Sequence, residues 1–338
     1  MMNKLTVGLI GAGRIGKVHA LSILKNLPSV TVKGVTDTIA GRAESLAADT
    51  GIANVYGDYR EMLADGDIEA VLVCSSTDTH TEIVRAAAGA GKHIFCEKPL
   101  DTDVGRVKET LKRVGDAGVK LQIGFNRRFD HNFSKLKELI LAGAIGDLHI
   151  LKITSRDPLP PPIEYVKVSG GIYVDMSIHD FDMARFLAES EPEEVYTAAA
   201  CLIDRDIAAA GDVDTALMTV KFKSGAICCI DNSRKAAYGY DQRVEAFGAK
   251  GKAEAGNDLP SAVVLSTEDG VLSEKPFYFF LERYMQSYAE EIKQFTEAII
   301  NRTEVPVTGE DFLCALRLSL AAAKSARENR PVRISEIE

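Results

Sequence analysis

Three groups of residues have the types and spacing to do chemistry. The first is Gly11-Ala12-Gly13-Arg14-Ile15-Gly16, a G-x-G-x-x-G run between an apolar segment and a helical one. In that setting the first glycine makes a tight turn, the second lets backbone approach a pyrophosphate, and the third lets helix and strand pack closely. The helix that follows offers free N–H groups and its positive dipole end to phosphates. Asp37 ends the next apolar run, where a carboxylate can hold ribose hydroxyls. It would repel a 2′-phosphate, which favours NAD over NADP. Arg42, a little further on, is the residue that could neutralise such a phosphate.

The second group is Glu97-Lys98-Pro99-Leu100, directly after an apolar run. This places Lys98 at the carboxyl edge of a sheet, where open α/β sheets bind ligands. A lysine there can donate to a substrate hydroxyl and stabilise negative charge developing on oxygen, and Pro99 restricts it to extended geometry. The third group is Asp175, His179 and Asp182, spaced i, i+4, i+7 and so expected on one face of a single helix. An imidazole flanked by carboxylates has its orientation set and its charged form stabilised, which suits a general base. A solvated salt-bridge face is the other use of this pattern. A metal is not expected, because hydride transfer with Lys and His needs none. Asn126-Arg127-Arg128, Arg156-Asp157 and Tyr238-Gly239-Tyr240-Asp241 could complete a pocket, the tyrosines through ring and hydroxyl together.

The elements that must position these groups follow from hydrophobic periodicity. Residues 5–10, 30–35, 70–74, 93–96 and 121–125 are buried-strand runs, alternating with helical segments at 15–24, 40–48, 82–90 and 104–117. This order predicts a doubly wound parallel sheet. After residue 125 the rhythm changes. A helix at 133–141 leads to an alternating strand at 148–156, a proline-rich turn, and a helix running from Gly171 to about Leu187. Strands then follow at 197–203, 216–222, 227–231, 243–247 and 262–265, which reads as a largely antiparallel sheet. Helices at 287–300 and 311–328 close the chain. The expected division is 1–124, a dinucleotide-binding α/β domain, and 125–338, an α+β domain with an open sheet for substrate binding and oligomerisation. Both faces of the strand at 148–156 carry apolar residues, and a sheet face of that kind calls for a partner subunit.

Composition narrows the classes. Forty Lys+Arg against 49 Asp+Glu leave a net charge of −9, which argues against nucleic acid and anionic membrane as partners. No apolar run reaches the length of a membrane span and the N-terminus lacks signal-peptide features, so a cytoplasmic protein is expected. The six cysteines include no C-x-x-C, which suits buried thiols in a reducing compartment and disfavours a zinc-dependent dehydrogenase.

In combination, VGLIGAGRIGKVHA (7–20), STDTHTE (76–82), EKPL (97–100), IGFNRRFD (123–130) and GGIYVDMSIHDFDMARFL (170–187) carry a resemblance over essentially the whole chain. The sequence resembles the glucose–fructose oxidoreductase/inositol dehydrogenase family. Within it, SRDPLPPP (155–162) and NSRKAAYGYDQRVEAFG (232–248) are similar to the branch that acts on myo-inositol. The resemblance implies a Rossmann domain followed by an open-sheet α/β domain, often paired into dimers or tetramers, and here a homotetramer is expected. It implies NAD-dependent oxidation of myo-inositol to 2-keto-myo-inositol in inositol catabolism, with scyllo-inositol or another polyol or sugar as the alternative substrate. A non-catalytic dinucleotide-binding sensor would have no need of Lys98, Asp175 and His179 together.

Residue by residue, the resemblance makes Lys98 the catalytic or substrate-orienting lysine, Asp175 the orienting carboxylate and His179 the proton acceptor. Asp182 becomes a substrate-hydroxyl ligand, with Arg127, Asp157 and Tyr238 as further substrate contacts. Gly11, Gly13, Arg14, Ile15, Gly16, Asp37, Ser75, Thr77, His80, Glu97 and Asn126 fall to the cofactor. Thr77-Asp78-Thr79, where relatives commonly have Thr-Pro-Asn, is a minor departure.

Overall fold

The computed structural model describes residues 4–338, which divide into two compact units. In the first, mostly apolar segments form strands β1 (Leu5–Ile10), β2 (Val30–Thr36), β4 (Ala70–Val73), β5 (His93–Glu97) and β6 (Leu121–Gly124), joined by the short, exposed β3 (Asn54–Val55). Helices α1 (Arg14–Asn26), α2 (Arg42–Thr50), α3 (Tyr59–Ala64), α4 (Thr77–Gly89) and α5 (Val104–Ala117) connect them. All pairs are parallel and the order is β3-β2-β1-β4-β5-β6. Strands with no polar alternation are those a sheet buries on both faces. The order reverses between β1 and β4, and the crevice at that switch point is where such sheets take dinucleotides.

The second unit begins with α6 (His131–Leu141), capped by Asp130, whose carboxylate accepts from Asn132 and Phe133 N–H. Strand β7 (Leu148–Arg156) is followed by three helices: α7 (Ile163–Val166), α8 (Gly171–Asp175) and α9 (Ser177–Ala188). Then come β8 (Pro192–Ala200), α10 (Arg205–Ala209), β9 (Thr215–Phe222), β10 (Ile227–Ser233), β11 (Asp241–Gly248) and β12 (Gly251–Ala255). The hairpin β13 (Val264–Thr267) and β14 (Gly270–Ser273) precedes α11 (Phe280–Arg283), α12 (Met285–Ile300), α13 (Gly309–Glu328) and β15 (Val332–Arg333). The seven-stranded sheet runs β12-β11-β7-β10-β9-β8-β15, antiparallel except for the parallel β7–β10 pair. Helix α9 packs on β7 and β10.

Four expectations are corrected. The helix after Gly171 is broken: Met176, at φ −104° and ψ −60°, separates α8 from α9. The strand expected at 197–203 starts at Pro192 and stops at Ala200, because the Asp214 carboxylate draws in the N–H groups of Leu202, Ile203 and Asp204. The strand expected at 262–265 pairs only within the exposed β13–β14 hairpin. Finally, Met285–Cys314 belongs to the first unit, whose boundary lies at Phe129 rather than residue 124. The return is driven by burial: α12 contributes Ile292, Phe295 and Ala298 to the core built on Leu5, Leu9, Leu72 and Phe95. Phe312 stacks on Phe125, and Arg128 pairs with Asp311.

Candidate active site

The first unit builds a dinucleotide cradle. Gly11 sits at φ +103°, and a Cβ there would meet the Cys74 carbonyl oxygen at 2.5 Å. A Cβ on Gly16 would lie 2.0 Å from the Gly11 carbonyl oxygen, so helix and turn touch through backbone alone. Gly13 is different. No protein atom lies within 4 Å of the place its Cβ would take, so nothing inside the chain demands glycine there. A ligand approaching the backbone would, and this open space fits a pyrophosphate. Arg14 and Ile15 open α1, whose N-terminus has no side-chain cap, leaving its first N–H groups for an anion.

Asp37 ties the end of β2 to this loop: Oδ2 accepts from Ala12 N–H and Oδ1 from Ile39 N–H, both at 2.7 Å. Each carboxylate oxygen keeps a second lone pair for a ribose hydroxyl. Arg42, the first residue of α2, borders a cavity of about 350 Å³ with Gly13, Arg14 and Ser45. Lys17, on the same wall, is paired with Asp49 at 2.8 Å.

At the carboxyl ends of β4 and β5 the polar groups brace one another. The Ser75 and Thr79 hydroxyls lie 2.7 Å apart, and Thr77 opens α4. His80 is buried, with Nδ1 2.8 Å from the Pro99 carbonyl oxygen and Nε2 3.1 Å from that of Ser75. It therefore holds two loops together rather than facing a ligand. Lys98 is half-buried and joined to Pro99 by a cis peptide bond. The Glu97 carboxylate turns inward to the His19 Nε2, at 2.7 Å. Asn126 and Arg127 are buried in the single 3-10 turn that follows β6. Burial pushes the Cys74 and Cys96 thiols well up, so both are inert packing groups.

In the second unit the break at Met176 puts Asp175 on α8 and His179 and Asp182 on α9. Asp175 ends α8, where Oδ1 accepts from the Tyr165 hydroxyl (2.9 Å) and Oδ2 from Arg234 Nη1 (3.1 Å). Arg234 is 1% exposed and also lies 3.6 Å from Asp212, which in turn accepts from Ile172 N–H. A buried guanidinium between two carboxylates thus fixes Asp175 from behind. His179, half-buried, and Asp182, buried, remain together on α9 at i, i+3.

A hydrogen-bonded chain rivets α9 to the sheet. Asn232 Nδ2 donates to Asp180 at 2.8 Å and its Oδ1 accepts the Ser177 hydroxyl at 2.5 Å. Asn232 also reaches the Ser155 carbonyl, while the Ser155 hydroxyl donates to Gln242. Three strands therefore orient the helix that presents His179. Arg234, Tyr165 and Asn232 were missed as site residues. An arginine two residues after Asn232, just past the end of a strand pattern, was the available signal.

Asp157 follows β7 and is pinned by its backbone to Ser233 and Ala236. The Tyr238 hydroxyl, pushed up in pKa by burial and by Asp241, donates to Asp241 at 2.6 Å and accepts from Arg156 at 3.0 Å. By strand alternation Arg156, Asp231 and Asp241 project from the sheet face opposite Ser155, Asn232 and Gln242. Tyr238 is thus not gathered with His179 in this unit. Among the described residues two His/acid groups have metal-compatible spacing, His19/Glu97/Glu291 and Asp130/His131/Asp258. In the second, Arg283 Nη1 already bonds both aspartates, at 2.5 and 2.8 Å.

A 3-2-1-4-5-6 parallel sheet, a glycine cradle at its switch point and an acid/base helix in a second α/β unit define a dinucleotide-dependent oxidoreductase. The chain belongs to the GFO/IDH/MocA family: residues 5–125 match its oxidoreductase model with an NAD-binding Rossmann fold, and residues 133–254 its C-terminal domain. It is 48% identical to a myo-inositol 2-dehydrogenase from Thermotoga maritima, over 98% of this chain and 99% of that protein. The crystal structure of a probable dehydrogenase from Thermotoga maritima superposes with a TM-score of 0.97 at 48% identity, covering 99% of this chain and 100% of that one. A scyllo-inositol dehydrogenase from Lactobacillus casei, solved with NAD(H) and scyllo-inositol, superposes with a TM-score of 0.92 at 28% identity, covering 98% and 99%. No helix among the described residues is long and apolar enough to cross a membrane.

Proposed function

We propose that this protein oxidises the axial hydroxyl of myo-inositol to the ketone with NAD⁺ as acceptor. His179 takes the hydroxyl proton at an imidazole nitrogen. Lys98 donates to the same oxygen and stabilises the charge that develops there. Asp182 and Arg127 supply further hydrogen bonds to ring hydroxyls, together with Asp157. Asp175, braced by Arg234 and Tyr165, sets the entry into the helix that carries His179. NAD, when bound along Gly11–Gly16 and Asp37, supplies the hydride acceptor. A cytoplasmic place in inositol catabolism and a tetrameric assembly complete the reading.

The observation that carries it is the conjunction in one chain of an open Gly13 cradle with a helix-borne His179 held by a three-strand polar network. The similarity to a protein named myo-inositol 2-dehydrogenase supports myo-inositol as the substrate. Nicotinamide absorbance over a panel of inositol isomers and hexoses is the test. Myo-inositol should be the best substrate, and His179→Asn should lower kcat by a factor on the order of 10² to 10⁴ without weakening NADH binding. Much faster turnover of scyllo-inositol or a hexose would overturn the substrate. NADH binding with no turnover of any polyol would revive the sensor.

A further inference from the structure

Glu291 is the most anomalous polar group of the first unit. It lies on α12, is 0% exposed, and neither carboxylate oxygen makes a hydrogen bond among the described residues. Its Oε1 lies 4.0 Å from His19 Nε2, the same nitrogen that donates to Glu97 at 2.7 Å. His19 is itself fully buried, edge-on to the rings of Phe95 and Tyr288. Gln122 donates to the Glu291 backbone carbonyl from β6. An imidazole is therefore confined between two acids by aromatic walls. Burial together with the Glu97 charge pushes the Glu291 carboxyl well above the usual carboxylate range, favouring its protonated form.

Burying an ionisable group without a partner costs several kcal/mol and is uncommon without a use. The use is visible one residue along the chain. Glu97 is the last residue of β5, and its inward side chain fixes the backbone from which Lys98 projects. We propose that His19 and Glu291 are positioning residues for Lys98, acting by locking the Glu97 side chain inward. This rests on the reading that Lys98 touches the reacting oxygen, since misplacing such a group by about 1 Å can cost on the order of 100-fold in rate.

The test compares Glu291→Leu, Glu291→Gln and His19→Gln with wild type in kcat, KM, NADH affinity and melting temperature. It adds the ¹³C-dimethyl-lysine NMR signal of Lys98, assigned by its loss in Lys98→Ala. Glu291→Leu should lower kcat by about tenfold or more with KM and NADH affinity nearly unchanged, and should shift the Lys98 signal. Glu291→Gln, neutral and of the same shape, should restore both. Should Glu291→Leu fail to fold, His19→Gln takes its place with the same expected outcome. A folded variant with wild-type kcat and an unmoved Lys98 signal would overturn the proposal, reducing the cluster to packing. Absence of polyol turnover by wild type would instead sink the proposed function, and the Lys98 signal alone would then decide the positioning role.

Discussion

Protonation of Glu291 has a consequence for stability that can be read with its sign. The folded state holds the Glu291 proton to a higher pH than the unfolded chain, whose ordinary glutamate releases it near pKa 4.3. The folded form therefore binds more protons, and stability falls as pH rises from that value toward the raised one. The groups facing Glu291 do not reverse this: His19 and Glu97 pair with each other, and burial keeps Cys74 and Cys96 neutral. Glu291→Gln should match wild type near pH 4–5 and exceed it increasingly as pH rises to 8. Urea unfolding at the two pH values checks this, and parallel curves for the two proteins would refute it. Asp37 makes a separate prediction. Its carboxylate, held at the end of β2 by Ala12 N–H, would repel a 2′-phosphate, with Arg42 bordering the neighbouring cavity. Asp37→Ser should raise kcat/KM with NADP and lower it with NAD. A wild type that already prefers NADP would show that Arg42 decides the cofactor.

Among elements, the loop between β8 and β9 depends on one side chain. Burial alone would raise the Asp214 carboxyl, but donors from Leu202, Asp204, Cys201 and Ile203 pull it down to about 2. A depressed carboxylate stabilises the fold above its unfolded value near 3.9 and loses that contribution as pH falls toward 2. Asp214→Asn should cost about 1–3 kcal/mol at pH 7, measured by denaturant unfolding. A change within experimental error would show that the loop closes without it. Elements were legible in the sequence where burial is uniform. Strands β1, β2, β4, β5 and β6 are mostly apolar runs, and α5 is bracketed by Asp103 and Gly118. Strand β3 escaped because it spans two exposed residues, Asn54 and Val55. The break at Met176 escaped because apolar periodicity continues across it, so α8 and α9 read as one helix. The motifs displayed Lys98 and His179, while their supports, Arg234, Glu291 and His19, find partners that lie far along the chain. Spacing carries no trace of such pairs.

On the scale of the whole molecule, the division of the chain was half legible. The change of rhythm near residue 125 marks the first boundary, but α12 reads as one more closing helix, and only its packing under β5 reveals the return to the first unit. The seven-stranded sheet argues the last prediction, assembly. One face of it is covered by α9. By alternation, the other presents Ile150, Ile227 and Phe247, and the strand register sets Ile150 directly beside both of the others. Leu217 adds to this face at 51% exposure. Lys152, Glu245, Lys252 and Arg243 surround the row, pairing as Lys152–Glu245 and Lys252–Glu245. An apolar row with a charged margin has the make-up of an interface core and rim, and apolar patches of this kind are uncommon on soluble monomers. A symmetric pairing of this face with itself closes a dimer, and a second contact makes the tetramer. Light scattering at micromolar concentration should give a multiple of the 36.6 kDa chain mass. The pair of substitutions Ile150→Glu and Phe247→Lys should lower that mass while leaving NADH binding intact. A wild-type protein that scatters as a monomer would refute the assembly, and an unchanged multiple in the double variant would move the interface to another surface.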